Sequence, residues 1–568
     1  MVNKKDIIRL LEKIAVYMEL KGDNPFKISA FRKAAAALEA DDRSVSEIED
    51  FTKLPGIGKG TASVIAEYIE TGESMVLTEL SGEVPEGLVA LLGLPGLGGK
   101  KIAKMYKELG ISNMEELKEA CEQHRVRELA GFGSKTEEKI LAAVEKAGTR
   151  PDRLPIAYML PVAEKIETYL EEMPGVSRSS RAGSLRRLRE TVKDLDFIIA
   201  TEEPEKVKEE LLAIPGIKEI IAAGPTKVSI IIDGEFDVSI DFRIVEPAQY
   251  ASTLQHFTGS KDHNVKIRQI AKERNEKVSE YGIEQPDGSV KTFDTEEAVY
   301  KHLGLPWFPP EIREDGTETD KYKEGTLISL SDIKGDMHMH TAWSDGAFSI
   351  EEMIEACRRL GYEYMAITDH SQYLKVANGL SVERLLRQNE EIKELNEKYS
   401  DIEVFSGIEM DILPDGSLDY DDDVLKQLDF VIASIHSNFS QPQKKIMDRL
   451  KKALHNPYVK LIAHPTGRII GRRDGYSVDM QELVKLAAET NTALELNANP
   501  HRLDLSADHL KMAQDAGVKI FINTDAHAIE HLHFMETGAS AGRKGWLRPE
   551  TVVNTWPKEQ LLSFLRSN

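Results

Sequence analysis

Between residues 335 and 568 the chain alternates short apolar runs with helical segments, and nearly every run ends in a residue able to bind a metal. The runs are "GDMHMH", "YMAITDH", "EVFSGIEMDIL", "DFVIASIHS", "VKLIAHPTG", "ALELNAN" and "KIFINTDAH". Such alternation predicts parallel strands inside a ring of helices, a β/α barrel, whose C-terminal strand ends converge on one mouth. Residues two apart on a strand point the same way, so His338 and His340 both face inward. The ligand candidates are His338, His340, Asp345, His370, Glu409, His436, His464, Asp525 and His527. One such histidine would be an ordinary buried side chain; a set of nine at equivalent strand ends is a site. Imidazoles with carboxylates suit Zn²⁺, Mn²⁺ or Fe²⁺, and the lack of thiolate ligands excludes a structural cysteine-type zinc site. The set is large enough for two or three ions, the arrangement used to hydrolyse phosphoesters. Arg468, Arg472 and Arg473 in "HPTGRIIGRRDGY", with His501 and Arg502 in "NANPHRLD", are candidates to hold a substrate phosphate.

The 568 residues imply several domains. No apolar run approaches the ~18–20 residues that span a bilayer, and the start lacks a signal-peptide core. Cys121 and Cys357 give no disulfide framework, so a reducing cytosol is expected. The net charge of −23 argues against a uniformly basic surface. It does not exclude nucleic acid, because charge is local and a bound cation inverts the effect of acidic ligands.

Residues 1 to about 150 read as all-helical, with a recurring phrase: "LPGIGKGTA" from Leu54, "LPGLGGKKIA" from Leu94 and "LAGFGSKTEEKI" from Leu129. That recurrence marks repeated helical units. A tight glycine turn frees backbone N–H groups to meet a phosphate. From about residue 151 the pattern becomes mixed, with β-rich runs "DLDFIIA", "VSIIID" and "DVSIDFRIV". Asp194 and Asp196 share one strand face, and Asp241 lies on a second strand. Three such carboxylates can hold two Mg²⁺ ions ~3.5–4 Å apart. Gly183-Ser184 with Arg186 and Arg187 offers a turn, a hydroxyl and guanidinium groups for a triphosphate. The polar stretch 317–334 reads as a linker.

"HMH", "SDG", "TDH", "GIE", "SIH", "AHP" and "TDAH" resemble, in order, the motifs of the PHP (polymerase and histidinol phosphatase) family. The resemblance implies a distorted (β/α)7 barrel, up to three metals, phosphoesterase chemistry and a bridging role for Glu409. "AGSLRRLRETVKDLDFIIA" with Asp241 resembles the nucleotidyltransferase palm of the family X DNA polymerases. "HFTGSKDHNVKIR" and "LGLPWFPPEIRED" resemble their thumb. By that resemblance Asp194, Asp196 and Asp241 are catalytic metal ligands. Arg153, Ser184 and Arg187 hold the triphosphate, and Gly259, Asn264 and Arg268 lie at the nascent base pair. The glycine phrases resemble helix-hairpin-helix motifs, which places Gly56, Gly58, Gly96 and Gly98 at DNA phosphates, often with a monovalent cation. "NPFKISAFRKAAAAL" resembles a 5′-phosphate pocket and puts Lys27 and Arg32 there. The chain departs from relatives at three places: His256 stands for a tyrosine beside the sugar, Leu188 for a glycine after the paired arginines, and Val64 for a lyase lysine.

End to end the sequence resembles a bacterial family X DNA polymerase fused to a PHP domain. The expected fold is multidomain α and α/β. It comprises a small helix-hairpin-helix domain (1–80), helical fingers with a second motif (81–150), an α+β palm (151–246), a thumb (247–316), a linker (317–334) and the barrel (335–568). The expected activity is short-gap filling in DNA repair with metal-dependent 3′→5′ exonuclease action. The partners would be gapped or primer-template DNA and dNTPs, with no membrane. The cofactors would be Mg²⁺ or Mn²⁺ at the palm and two or three divalent ions at the barrel. A monomer in the cytoplasm, at the nucleoid during repair, is expected. The alternative is a barrel that is structural or acts on small phosphate esters.

Overall fold

The computed structural model describes residues 4–40, 48, 50–92, 94, 97–149, 152–234 and 236–566. They form two compact units, Met1–Asp152 and Arg153–Asn568.

The first unit is helical throughout its described residues. Helix α1 (Lys4–Lys21) places Ile7, Leu11 and Ile14 at helical spacing on one stripe, and all three are buried. The three glycine phrases adopt one local design. In each, the first leucine and the residue between the glycines are buried: Leu54 with Ile57, Leu94 with Leu97, Leu129 with Phe132. The same backbone bond closes each turn, from Ile57 to Leu54, Leu97 to Leu94 and Phe132 to Leu129, at 3.1, 3.1 and 2.9 Å. Two apolar anchors therefore fix a turn whose described glycines, Gly56, Gly58, Gly98, Gly131 and Gly133, stay at the surface. A helix follows each time: Lys59–Thr71, Gly99–Leu109 and Ser134–Thr149.

In the second unit a five-stranded sheet comes first. Its strands are β1 (Arg178–Arg181), β2 (Asp194–Ala200), β3 (Ile217–Ala223), β4 (Lys227–Ile232) and β5 (Val238–Val245), in the order β1-β2-β5-β4-β3. Only β2 and β5 run parallel. β4 and β5 pair antiparallel on either side of Asp233-Gly234, with Ile232 opposite Val238.

Seven parallel strands follow in chain order: β6 (Gly335–Asp336), β7 (Tyr364–Ile367), β8 (Glu403–Asp411), β9 (Phe430–Ser434), β10 (Val459–Ile462), β11 (Ala493–Asn497) and β12 (Ile520–Asn523). A parallel bridge from Met339 to Ala526 closes first strand onto last at the mouth. The period of two explains how this barrel is both core and site. Tyr364 and Ala366 share a face with His370, Phe405 with Glu409, Phe430 and Ile432 with His436, and Phe521 with Asp525. The lower members pack with Trp556 and Phe564 around the C-terminal helix Lys558–Arg566 and seal the barrel floor. Each large apolar side chain so buried contributes roughly 1.5–3 kcal/mol. The upper members are polar and line the mouth.

The stretch read as a linker is folded: Glu318 and Ile328 are buried, and the Ile328 N–H donates to the Leu547 carbonyl at 2.9 Å. Within this unit the barrel is fastened to the segments that precede it. Arg468 pairs with Glu190 at 2.8 Å and Arg543 with Glu311 at 2.6 Å. Glu296 accepts from Arg313 at 2.5 Å and Trp307 at 3.1 Å nearby in the chain, and from Arg186 beside the five-stranded sheet at 3.0 Å. Burial alone would raise the Glu296 carboxyl; the two guanidiniums outweigh it and hold the carboxyl well below the usual range. Removing one partner of a buried pair strands the other charge. Glu296→Ala should therefore cost about 3–5 kcal/mol in denaturant unfolding. A change under about 1 kcal/mol, as for exposed pairs, would refute this.

Candidate active sites

The barrel mouth is organised around Glu409 at the end of β8, which is fully buried. Its Oε1 lies 2.9 Å from His464 Nε2 and 3.2 Å from His436 Nε2. Its Oε2 lies 2.9 Å from His370 Nδ1 and 3.5 Å from both His338 Nε2 and His340 Nε2. Asp525 Oδ1 faces His340 Nε2 at 3.1 Å and His338 Nε2 at 3.5 Å. Asp345 faces His527, His370 and His340 at 3.5, 3.7 and 4.0 Å. All nine expected ligands thus meet in one cluster. Three overlapping groups have atoms spaced to hold an ion: His340-Asp345-His370-His527, His338-His340-Asp525 and His370-Glu409-His436.

The donor set fits divalent cations. Glu409 Oε2, His340 Nδ1, His370 Nδ1 and His464 Nδ1 are buried and lack hydrogen-bond partners, a condition that buried polar atoms rarely tolerate without a ligand. The electrostatics agree. Burial would raise Glu409, but the imidazoles of His436, His370 and His338 hold it far below its usual range. Burial and the neighbouring His527 and His370 push His340 down to about 3, so it is neutral and able to ligate. His464 and Asp525 adopt φ of +27° and +55°. Backbone strain of this kind concentrates where a side chain must be aimed.

The second cluster lies in the five-stranded sheet. Asp194 and Asp196 enter β2, and Asp241 sits opposite Asp196 on the parallel neighbour β5. Asp241 accepts from Ser229 Oγ at 2.6 Å and Lys227 Nζ at 2.8 Å. Burial, then the charges of Asp194 and Asp241, push Asp196 up to about 7. Three carboxylates so placed repel one another and suit hard divalent cations. The Gly183-Ser184 turn abuts them: Gly183 has φ of +60°, and a Cβ there would lie 2.0 Å from Asp196 Oδ2. Arg187 follows and donates to the Thr258 carbonyl at 2.6 Å. Leu188 takes φ of +51°, the left-handed conformation that glycine enters most easily. Arg186, by contrast, is committed to Glu296.

Residues 336–499 match the model of the PHP domain, and 253–314 that of the DNA polymerase beta thumb. Residues 2–74 match a helix-hairpin-helix domain and 88–146 a SAM-like helix-hairpin-helix tandem. The chain is 61% identical over 569 residues to the DNA polymerase/3′-5′ exonuclease PolX of Bacillus subtilis (strain 168), covering 100% of each. It belongs to the bacterial family X DNA polymerases that carry a PHP domain. It is also 29% identical over 231 residues to a probable phosphatase of Thermoanaerobacter sp. (strain X514), across 39% of this chain and 89% of that protein. A 22% identity over 337 residues, 54% of this chain and 56% of the relative, links it to DNA polymerase lambda of Rattus norvegicus.

In this family X polymerase the remaining expected residues fall as follows. Arg153 binds Thr191 through Oγ1 and the carbonyl, at 3.1 and 2.5 Å. Asn264 donates to the His256 carbonyl at 2.7 Å and accepts from Gln255 at 3.0 Å. Gly259 caps the helix before it, and Arg268 is exposed one turn further along. Gly56 has φ of +103°, and Gly58 and Gly98 each cap the helix that follows. Gly96 lies outside the described residues. Lys27 is exposed, and Arg32 pairs with Glu19. Val64 is buried in its helix.

Three of the loop arginines read as phosphate-ligand candidates make contacts with protein. Arg468 is spent on Glu190, Arg472 lies over the Tyr158 ring at 5.5 Å, and Arg473 over Phe439 at 4.3 Å. Arg502 alone stays at the ligands, 3.6 Å from Asp525. Residues missed by sequence reasoning stand behind the ligands. Glu495 faces His338 Nδ1 at 2.7 Å and accepts the His464 N–H at 2.7 Å. Asp411 lies 3.3 Å from His436 Nδ1. Asp369 takes hydrogen bonds from Thr341, Ser344 and Gln388 and so fixes the loop that carries Asp345. For Glu495 and Asp411 the available signal was a charged residue on the inward parity of an apolar strand, as in "ALELN".

Gly183→Ala should displace Asp196 and cut primer extension by about 100-fold or more, with exonuclease rates on the same preparation unchanged. Extension within about threefold of wild type would show that the turn tolerates a side chain.

Proposed function

We propose that the carboxylate triad extends a primer 3′ end across short gaps, and that the barrel cluster removes nucleotides from 3′ ends. The chain is an enzyme with both activities, DNA polymerase and 3′-5′ exonuclease. The observation that carries the division of labour is that each acidic cluster is complete, one on paired strands of the sheet and one around Glu409.

Divalent cations supply Lewis acidity at both clusters: Mg²⁺ or Mn²⁺ at the triad, and two or three Mn²⁺, Zn²⁺ or Fe²⁺ at the barrel. Asp241, steadied by Ser229 and Lys227, accepts the proton of the primer hydroxyl. Ser184, Arg187 and Arg153 hold the triphosphate. Gly259, Asn264 and Arg268 shape the space for the nascent base pair, where His256 stands in place of a tyrosine. In the barrel, the buried walls exclude water from around the phosphodiester, and Arg502 offers it a guanidinium. The helix-hairpin-helix turns hold DNA through backbone N–H groups at Gly56, Gly58, Gly96 and Gly98, helped by a monovalent cation. Lys27 and Arg32 meet the downstream 5′ phosphate. The setting is short-gap repair by a monomer at the nucleoid. Among the described residues no helix is long and apolar enough to cross a membrane.

A second reading, hydrolysis of a small phosphate monoester by the barrel, draws on the likeness to probable phosphatases. One gapped substrate with a mismatched 3′ nucleotide separates these ideas. Asp194→Ala should lose extension by about 10²–10³-fold and keep 3′ trimming. His338→Ala should lose trimming to a similar degree and keep extension from a matched end. Turnover of a phosphomonoester without nucleotide release from DNA would favour the second reading.

A further inference from the structure

Among the contacts of the barrel with the polymerase region, one side chain reaches the turn that carries Arg187. Lys544 ends the helix Phe534–Lys544, on the barrel's outer ring after β12. Its ammonium is largely buried and has three donors. All three are used on the palm and thumb: the Arg187 carbonyl at 2.9 Å, Glu314 Oε1 at 2.7 Å and the Glu311 carbonyl at 3.3 Å. Arg187 closes the short helix Gly183–Arg186, so the lysine cation sits where a helix C-terminus gathers negative charge. Glu314 is shared: Arg187 and Arg189 approach it at 3.7 and 3.5 Å. The adjoining Arg543 grips Glu311 and keeps the contact in register.

We propose that Lys544 is a positioning residue for nucleotide binding: the PHP barrel sets the Arg187 turn from outside the polymerase domain. This rests on the reading of Arg187 as a triphosphate ligand. The turn needs outside support. It contains Leu188 in a left-handed conformation and Gly183 pressed on Asp196. Its internal bond from the Arg187 N–H to the Gly183 carbonyl is long, at 3.4 Å. Lys544 fixes the carbonyl of the residue whose guanidinium must meet the triphosphate, and it neutralises Glu314, which otherwise competes with the triphosphate for that guanidinium. The barrel therefore serves synthesis as well as trimming, without its metal ligands taking part.

The test uses the full chain on a single-nucleotide gap. Lys544→Met keeps the apolar stem and removes the donors; Lys544→Arg keeps a cation; Arg187→Ala checks the underlying reading. Lys544→Met should raise the KM for dNTP about tenfold, leave kcat within about twofold and leave the exonuclease rate unchanged, as expected for the loss of charge-assisted hydrogen bonds. Lys544→Arg should restore most of the KM. A KM unchanged in Lys544→Met but raised in Arg187→Ala would overturn the positioning role. Equal losses of extension and trimming in Lys544→Met, unrelieved by Lys544→Arg, would make the residue merely structural and overturn it too. A KM unchanged in Arg187→Ala would remove the triphosphate reading itself.

Discussion

Glu409 is the constraint on which the barrel depends. A carboxylate with both oxygens buried among five imidazoles is costly unless its charge is answered. Folding such a group demands that strands arriving from distant parts of the chain end at the same height. The closed parallel sheet does this: its strands run parallel in chain order, so their C-terminal ends deliver the ligands to one mouth. The floor of aromatic side chains under the C-terminal helix and the polar mouth are two ends of one alternating pattern. Against burial, the neighbouring carboxylates, Glu409 among them, raise His338 and His436, whereas His340 is held neutral and is free to ligate. Cations can answer the charge of Glu409 fully.

The carboxylate triad solves a related problem with different means. Two parallel strands put Asp196 opposite Asp241, and the mutual repulsion shows in the raised Asp196. The neighbouring turn can approach because Gly183 has no side chain. The barrel is bolted to this region by ion pairs such as Arg468–Glu190 and Arg543–Glu311, several of them half-buried. Those contacts explain why arginines that look in the sequence like phosphate ligands are bound to protein instead.

Much of this was legible in the sequence. The alternation of strands and helices, the ligand-ending runs and the glycine turns have local patterns, and the structure reproduces them. What escaped was whatever depends on contacts between distant segments. Glu495 and Asp411 look like stray charges in apolar runs, and only the closed barrel shows that they stand behind His338, His464 and His436. The 317–334 stretch is polar by composition, yet Glu318 is buried because His263, far away in sequence, receives it at 2.5 Å. Arg186 and Arg187 are adjacent and both half-buried, yet one is a strut to the buried Glu296 and the other borders the triad. Composition cannot separate two neighbours whose roles are set by tertiary packing.

The most direct test of the account is the metal content of purified full-length protein, measured by elemental analysis for wild type and Glu409→Gln. Removing the central negative charge while keeping its shape should lower the stoichiometry from two or three ions per chain to at most one and abolish trimming, with matched-end extension intact. Full metal occupancy in Glu409→Gln, or a wild type that trims DNA after complete metal removal, would contradict it.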